Sequence, residues 1–349
     1  MATLRELPLS VMVVDDSAVA RQVMTTLLSA AGMHVQVAHD PVFALRKLEH
    51  WEPDVLVLDI EMPRMDGITF LKVLRKERDT PVVICSGAVG DSSAKALEAL
   101  DEGAAEVVTK PRTAIRDFLY ESAVMLVDAV SAAAQTRRRL RSPASQTEKT
   151  QTKAFWARGI QGRTQVLAIG ASTGGPEAVQ RVLSALPADA PPTLVVQHMP
   201  EGFTKAFAAR LDRECPMRVR EARPGDRLET GLALVAPGGR HLKLENLGQG
   251  PFVSVLDGPL VSRHRPSVDV LFESVAATVG ARAVGVLLTG MGDDGARGMR
   301  LLKNCGAFTL AQDEATSVVY GMPKAAVDAG AVDKIAPLDR IGEAILMRS

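Results

Sequence analysis

Two series of short apolar segments, separated by one polar segment, constrain the fold of this chain more than any other feature of its sequence. The apolar segments have the length of strands, and segments with helical periodicity, such as the stripe Val19, Val23, Leu27 and Ala30, lie between them. Strands that alternate with helices predict parallel sheets covered by helices on both faces. The first series predicts strands at residues 11–14, 35–38, 55–58, 82–85 and 106–109.

The polar segment marks the boundary between two domains. It begins with a basic run at residues 137–141 and continues with Ser, Thr, Gln and Lys residues that offer almost nothing to a core. The basic run could bind an acidic partner or border a solvated linker. We predict a doubly wound, flavodoxin-like domain over residues 8–130, a linker over residues 131–162, and a Rossmann-like α/β domain over residues 163–349. Two cores agree with a length of 349 residues.

The second series predicts a parallel sheet with a small antiparallel insertion. Helices are expected after Pro176, Gly202 and Asp294. Runs that predict buried strands lie at residues 166–169, 193–196 and 284–288. Three shorter runs, spaced like hairpins, lie at residues 232–235, 241–244 and 253–256.

Composition narrows the classes of partner and compartment. Lys plus Arg and Asp plus Glu both number 41, so no strong field draws the chain to nucleic acid or to a membrane surface. The apolar runs are well short of the ~20 residues that a membrane span needs. Cys85, Cys215 and Cys305 are odd in number and widely spaced, which is typical of reduced thiols, two of them in a core. We therefore expect a cytoplasmic protein without nucleic-acid binding or membrane insertion.

Polar residues close four strands of the first series. Asp15 and Asp16 follow the first strand, Asp59 the third, Ser86 the fourth and Lys110 the fifth. Because ligand groups gather at the carboxyl ends of parallel strands, these residues should share one crevice. Clustered carboxylates favour Mg²⁺, which would let Asp59 attack phosphorus while Ser86 and Lys110 hold the phosphoryl oxygens. Each aspartate taken alone could instead cap a helix or turn.

The order and context of these residues resemble the receiver domain of two-component response regulators. The resemblance rests on Asp15-Asp16, on residues 59–67, on Ser86-Gly87-Ala88 and on Lys110-Pro111. It implies Asp59 as the phosphoacceptor, Asp16 and Asp59 as Mg²⁺ ligands supported by Asp15, and a contribution from the backbone carbonyl of Glu61. It also implies a histidine kinase as partner. Val107 departs from the family, which has an aromatic switch residue three positions before the lysine.

A second polar set closes strands of the second series. Ser172 lies in a G-x-S-x-G turn directly after an apolar run, which is typical of a nucleophile but also of phosphate-binding turns. His198 ends another run, and Asp293 and Asp294 follow a third. Ser, His and Asp are the set that acyl transfer requires, although a lone His is often structural and Asp often caps a helix. The order Ser, His, Asp differs from that of α/β-hydrolases.

These motifs, together with residues 237–241 and 264–269, resemble the catalytic domain of chemotaxis protein-glutamate methylesterases. The resemblance implies Ser172 as nucleophile, His198 as base and Asp294 as the residue that orients it, with the backbone amides of Thr173 and Met291 near the oxyanion. Spacing alone does not choose between Asp293 and Asp294. The family implies demethylation and deamidation of methyl-accepting chemoreceptors, for adaptation in chemotaxis-type two-component signalling. Because a receiver domain contributes no chemistry to ester hydrolysis, we predict that it covers the crevice until phosphorylation at Asp59 relieves this inhibition.

Two other functions remain open on the sequence alone. The chain could be a phosphate- or nucleotide-binding regulator that uses the glycine-rich turn at residues 170–175, although it lacks the G-x-G-x-x-G pattern. It could also be a DNA-binding response regulator, although the second series shows no helix-turn-helix pattern. Methanol release by the purified protein separates the first alternative from a methylesterase, and salt-dependent DNA binding would support the second.

Overall fold

The structure is a computed structural model that describes residues 8–87, 91–111, 116–140, 165–248 and 250–347. For residues 91–94, 116–121 and 136–140 it describes the backbone alone. The chain divides into two compact units, residues 1–144 and residues 145–349. Most of the predicted linker, residues 141–162, lies outside the described residues.

The first unit contains one five-stranded parallel sheet. Its strands are β1 (Ser10–Val14), β2 (His34–Ala38), β3 (Val55–Leu58), β4 (Val82–Ser86) and β5 (Glu106–Thr109). They lie in the order β2-β1-β3-β4-β5, with every neighbouring pair parallel. All five predicted strands and the doubly wound, flavodoxin-like architecture are confirmed. The order reverses between β1 and β3, which places the ends of these two strands at the switch point.

Five helices cover this sheet. They are α1 (Ala18–Ala30), α2 (Pro41–Leu48), α3 (Gly67–Glu77), α4 (Asp91–Asp101) and α5 (Arg116–Leu140). Helices α1 and α5 contact each other on one face, and α3 contacts α4. The predicted stripe of α1 is wrong in detail, because Met24 and Leu28 are its buried residues while Val19 is 68% exposed. Helix α5 continues to Leu140 and so includes the start of the basic run.

The second unit contains a seven-stranded parallel sheet and one hairpin. Its strands are β6 (Val166–Ala171), β7 (Thr193–Gln197), β8 (Arg218–Glu221), β9 (Leu232–Val235), β10 (His241–Asn246), β11 (Pro251–Leu256), β12 (Ala283–Leu287), β13 (Phe308–Gln312) and β14 (Lys334–Ala336). The sheet has the order β14-β13-β12-β6-β7-β9-β8, and β10 pairs with β11 antiparallel. The small antiparallel insertion is confirmed. The assignment of residues 232–235 to it is wrong, because β9 pairs in parallel with both β7 and β8.

The helices of the second unit form two layers. They are α6 (Gly175–Ser184), α7 (Phe203–Glu214), α8 (Val268–Thr278), α9 (Ala296–Asn304), α10 (Met322–Asp328) and α11 (Leu338–Leu346), with a short 3-10 helix at Gly280–Arg282. Helix α6 contacts α7 and α11, while α9 contacts α8 and α10. The apolar faces of α8 and α9 pack on the sheet through residues such as Phe272 and Met299. The strand order reverses between β6 and β12, so the crevice of this unit lies at the ends of β6, β7 and β12.

The structure bears on two expectations from composition, the lack of membrane spans and the burial of the cysteines. No helix within the described parts of the chain combines the length and apolar character that crossing a membrane requires. All three cysteines are free, but only Cys85 is in a core, since Cys215 is half-buried and Cys305 is exposed. The expectation of two core cysteines is therefore wrong.

Candidate active site and phosphoryl-acceptor site

Ser172 lies in the tight turn between β6 and α6. The turn is possible because Gly174, which precedes the helix, adopts the left-handed conformation with φ 74°. Two backbone hydrogen bonds fix the turn: the Ser172 amide donates to the Thr289 carbonyl at 3.0 Å, and the Gly175 amide donates to the Ser172 carbonyl at 2.7 Å. Ser172 is 9% exposed, so its hydroxyl lies at the floor of the crevice rather than on an open surface.

His198 follows β7, the strand next to β6. Its amide donates to the Ala171 carbonyl at 3.0 Å, which ties the histidine to the residue before Ser172. Its Nε2 lies 2.8 Å from Oδ2 of Asp294. Because an ionised carboxylate only accepts hydrogen bonds, Nε2 must carry the proton and Nδ1 the lone pair. Nδ1 is buried and has no hydrogen-bond partner among the described residues, so it is available as a base.

Asp294 follows β12 and is held by four donors. Oδ2 accepts from His198 Nε2 at 2.8 Å and from the Val268 amide at 2.7 Å. Oδ1 accepts from the Ser267 hydroxyl at 2.8 Å and from the Asp269 amide at 3.0 Å. Burial raises the pKa of this carboxyl, but the hydrogen bond and charge of His198 and the two amides outweigh it and hold the pKa below its ordinary value.

The aspartate beside it behaves differently. Asp293 is exposed and has no contact with His198, whereas Asp294 is 1% exposed. The helix-cap alternative is partly right, because Asp294 accepts hydrogen bonds from the first two backbone amides of α8. That helix precedes it in the chain, however, so the contact is tertiary and not a local cap of α9.

Three residues around this set, His241, His264 and Ser267, lie in the segments that carry the family resemblance, but the sequence assigned no role to them. The His264 ring stacks on His198, with centroids 3.8 Å apart and planes 13° apart. Burial and the neighbouring His198 lower the pKa of His264, so it remains a neutral ring. His241 donates from Nε2 to the Pro259 carbonyl at 2.8 Å and accepts from the Ser267 amide at 3.2 Å, which orients the residue that supports Asp294.

His264 is the last residue of a strained turn at residues 261–264. Val261 and His264 exchange two backbone hydrogen bonds, of 3.1 and 2.9 Å, across a two-residue turn. Both central residues have positive φ, 50° at Ser262 and 68° at Arg263, as in a type I′ turn. Asn and Gly are the usual residues there, so side chains at both positions place strain next to the crevice.

The two amides expected near the oxyanion belong to the turns that follow β6 and β12. Thr173 is buried directly after Ser172, and Met291 lies half-buried in the turn after β12. The Thr173 carbonyl accepts from the Thr289 hydroxyl at 2.9 Å, which ties the two turns together. Neither amide donates a hydrogen bond to a described residue.

The first unit brings its predicted residues together at the switch point. Lys110 Nζ lies 2.8 Å from Asp15 Oδ2 and 2.7 Å from Asp59 Oδ2. Asp15, Asp16 and Asp59 each offer a carboxylate oxygen within 4.8 Å of the others. Asp15 and Asp59 are buried, while Asp16 is exposed, so the group opens to solvent on one side.

Burial dominates the electrostatics of this group. It raises the pKa of Asp59 from 3.8 to about 6, because the Lys110 hydrogen bond and charge only partly offset desolvation and the Asp15 charge adds to it. Burial likewise lowers the pKa of Lys110, but its hydrogen bonds to Asp15 and Asp59 outweigh burial, and the pKa is raised. The site therefore holds more negative charge than one ammonium compensates.

These residues fit a hard divalent cation and a phosphoryl group. Asp59 Oδ1 and Ser86 Oγ are buried and have no hydrogen-bond partner among the described residues. Carboxylate oxygens at this spacing suit Mg²⁺, which takes few protein ligands and keeps several waters. The backbone of Glu61 lowers the pKa of Asp59, so its peptide lies beside the Asp59 carboxyl group. Val107, in the aromatic switch position, is buried in β5.

Known proteins share both halves of this arrangement. The chain matches the family models for CheB methylesterase over residues 167–345 and for the response regulator receiver domain over residues 11–119. It is 48% identical to protein-glutamate methylesterase/protein-glutamine glutaminase 3 of Geobacter metallireducens, over 97% of this chain and 98% of that protein. It is 50% identical to protein-glutamate methylesterase/protein-glutamine glutaminase 2 of Pseudomonas syringae pv. tomato, over 97% of this chain and 99% of that protein.

A solved structure agrees with the second unit. The crystal structure of the Thermotoga maritima CheB methylesterase catalytic domain covers 53% of this chain and 99% of its own, at 35% identity and a TM-score of 0.52. The fold and site define a response regulator whose output domain is a hydrolase. The chain belongs to the CheB methylesterase family, and its first unit is a response regulator receiver domain. This membership favours the hydrolase over the nucleotide-binding and DNA-binding alternatives.

Proposed function

We propose that this protein hydrolyses glutamate methyl esters on chemoreceptors, and glutamine amides at equivalent positions, under the control of phosphorylation at Asp59. The observation that carries the proposal is the His198–Asp294 pair, 2.8 Å apart at the end of the strand next to Ser172. It leaves a buried, unprotonated Nδ1 on His198 as the base. The names of the relatives supply the substrate class.

In the first half of the reaction, His198 Nδ1 takes the proton of Ser172 as Oγ attacks the ester carbonyl carbon. The carbonyl oxygen becomes an oxyanion, which the Thr173 and Met291 amides stabilise by hydrogen bonds. Asp294 stabilises the imidazolium and keeps its proton on Nε2. Collapse of the intermediate breaks the bond to the methoxy oxygen, which takes the proton from Nδ1 and leaves as methanol.

In the second half, water replaces methanol in the same geometry. His198 takes a proton from the water, whose oxygen attacks the glutamyl ester on Ser172. Collapse returns the proton to Ser172 Oγ and frees the glutamate carboxylate. A glutamine side chain follows the same path with ammonia as the first leaving group, which accounts for the second activity in the names of the relatives.

The receiver domain supplies control. Asp59 accepts the phosphoryl group from a histidine kinase, with Ser86 and Lys110 holding its oxygens. Asp15, Asp16 and Asp59, with the Glu61 carbonyl, would hold Mg²⁺, which neutralises charge during phosphoryl transfer. We propose that the protein acts in the cytoplasm, where a chemosensory histidine kinase would phosphorylate it. The domain boundaries at residues 130 and 163 remain predictions.

One experiment tests both halves. Purified chain, with and without a small phosphoryl donor and Mg²⁺, is incubated with methyl-labelled chemoreceptor, and released methanol is measured. We expect the donor to raise the rate of the wild type but not of Asp59→Asn, and Ser172→Ala to release none under either condition. Release that persists in Ser172→Ala contradicts the nucleophile, and activation that persists in Asp59→Asn contradicts the phosphoacceptor.

A further inference from the structure

We propose that Gln197 is a positioning residue that sets the distance between Ser172 and His198. The proposal rests on the proposed function, because it assigns to Gln197 the alignment of that nucleophile with that base. Gln197 is the last residue of β7, is fully buried, and is absent from the residues that the sequence motifs single out.

One amide group of Gln197 bridges the two loops that carry the reacting residues. Its Nε2 donates to the Ser172 carbonyl at 2.8 Å and to the His198 carbonyl at 3.1 Å. The regular pairing of β6 with β7 ends at Ala171 and Gln197. Beyond that point, the side-chain amide continues the connection that the strand ladder no longer makes.

The orientation of this amide follows from its partners. Both groups that face Nε2 are carbonyl oxygens, which only accept hydrogen bonds. An amide turned the other way would place its own oxygen against both of them. The two hydrogen bonds therefore define one orientation, and the nitrogen belongs where the structure has it.

The other end of the amide carries a cost. Gln197 Oε1 is buried and has no hydrogen-bond partner among the described residues. A buried acceptor without a partner costs on the order of 1–3 kcal/mol. An apolar side chain would avoid that cost but would also remove both donors to the Ser172 and His198 carbonyls, so the experiment must separate the effect on catalysis from the effect on stability.

The backbone opposite Gln197 is built to admit it. A Cβ at Gly175 would lie 2.0 Å from Gln197 Oε1 and 2.9 Å from its Cδ. The first residue of α6 therefore leaves room for the glutamine amide. The same residue donates its own amide to the Ser172 carbonyl, so this carbonyl is fixed from two directions.

The test compares two substitutions at opposite ends of β7 in the full-length protein. Gln197→Met keeps the length and burial of the side chain but removes both donors. Thr193→Val is the control, because Thr193 is equally buried and donates to the Pro191 carbonyl at 3.0 Å, far from the crevice. Methanol release from methyl-labelled chemoreceptor gives kcat and KM, and labelling by a fluorophosphonate reports the reactivity of Ser172 without the receptor.

We expect Gln197→Met to lower kcat and the labelling rate by about 10- to 100-fold, with KM within about threefold of wild type. Thr193→Val should lower the melting temperature to a similar degree but leave kcat and labelling within about threefold. If Gln197→Met does not fold, Gln197→Glu replaces it as the test variant. Glutamate keeps the shape of the side chain but can donate at most one hydrogen bond to the two carbonyls. We expect it to lower kcat and the labelling rate by less than about 100-fold, with KM little changed.

Three results would overturn the proposal. The first is a Gln197→Met enzyme with wild-type kcat and labelling, and the second is an equal loss of kcat in both variants. The third, a wild type that hydrolyses receptor ester while Ser172 resists the fluorophosphonate, would remove the nucleophile itself. That outcome refutes Ser172 as the nucleophile, whereas a wild type that releases no methanol from receptor ester refutes the proposed function; both are recognised without any variant of Gln197.

Discussion

Replacing Asp294 by Asn should separate the catalytic role of this carboxylate from its role in holding α8. The side chain keeps its shape but loses its charge and gains an N–H₂ group in place of one oxygen. Around Oδ1 and Oδ2 stand four donors, two of which are the backbone amides of Val268 and Asp269. The Ser267 hydroxyl can reverse its direction, but a backbone amide cannot.

The loss of stability follows from these contacts. Whichever position the new N–H₂ group takes, it faces the amide of Val268 or that of Asp269, so one backbone donor at the start of α8 loses its acceptor. An unsatisfied buried donor costs on the order of 1–3 kcal/mol, and the remaining bonds lose their ionic character. We expect Asp294→Asn to reduce the free energy of unfolding by about 2–4 kcal/mol.

The loss of activity should be larger. Without the carboxylate, no negative charge favours the tautomer of His198 that is protonated at Nε2. The imidazolium formed during attack also lacks a counter-charge. The equivalent change in a Ser-His-Asp triad lowers kcat about 10⁴-fold, which corresponds to about 5 kcal/mol in the transition state. The assay is kcat for methanol release, measured where circular dichroism shows the variant to be folded.

Asp293→Asn is the matched control, because Asp293 is the exposed neighbour and makes no contact with His198. We expect its kcat to stay within about threefold of wild type. A folded Asp294→Asn enzyme that keeps more than about a tenth of wild-type kcat would refute the reasoning, as would equal losses in the two variants.

Three further predictions concern single residues. Ser172→Ala should lower kcat on the order of 10⁶-fold with an unchanged melting temperature; residual activity within about tenfold of wild type would exclude it as nucleophile. Asp59→Asn should stabilise the metal-free receiver domain, since ionising a carboxyl whose pKa is raised from 3.8 to about 6 opposes folding. That gain should be absent below roughly pH 3, grow as the pH rises from about 4 to about 6, and level off at about 3 kcal/mol above that range. It should shrink with Mg²⁺, and equal unfolding curves across pH would contradict it. Ser262→Gly should be roughly 0.5–1 kcal/mol more stable than Ser262→Ala, since both lose the hydroxyl but only Ala keeps a Cβ at positive φ, and equal denaturation midpoints would remove the strain.

The sequence predicts the sheet of the first unit well because its signals are local. Each strand is a short apolar run, and each run ends in a polar residue that the parallel arrangement carries to one edge. Asp15, Asp59 and Lys110 meet there for that reason alone. The buried face of α1 was harder to predict, because Val19 and Met24 are both apolar and only the position of the sheet decides between them.

In the second unit, the sequence predicts fewer elements correctly. The run at residues 232–235 suits a hairpin or a parallel strand equally, and its place beside β7 depends on contacts with residues about forty positions earlier in the chain. Strands β8, β13 and β14 were not predicted. Strands β8 and β14 are polar and half-exposed at the two edges of the sheet, so their existence follows from pairing rather than from hydrophobic pattern. Strand β13 is buried, and its apolar residues were overlooked.

The site shows the same division between local and distant information. Ser172, His198 and Asp294 could be proposed because each closes a strand. Gln197 could not, because no local pattern distinguishes a buried glutamine from other core residues and its role depends on the loops that it contacts. His264 begins a motif that carries the resemblance, but its stacking on His198 is a tertiary contact that the sequence does not reveal.

The pairing of β6 with β12 has a consequence for how the enzyme appears during synthesis. The sheet of the first unit is complete when residue 109 has emerged, whereas Asp294 lies 96 residues beyond His198 and on a strand that must insert beside β6. Domains generally fold as units from the N-terminus as the ribosome releases them, and contacts distant in sequence form late. The growing chain therefore carries a finished receiver sheet well before it carries a complete hydrolase domain, and a prematurely ended chain that lacks β12 also lacks Asp294, the proposed partner of His198.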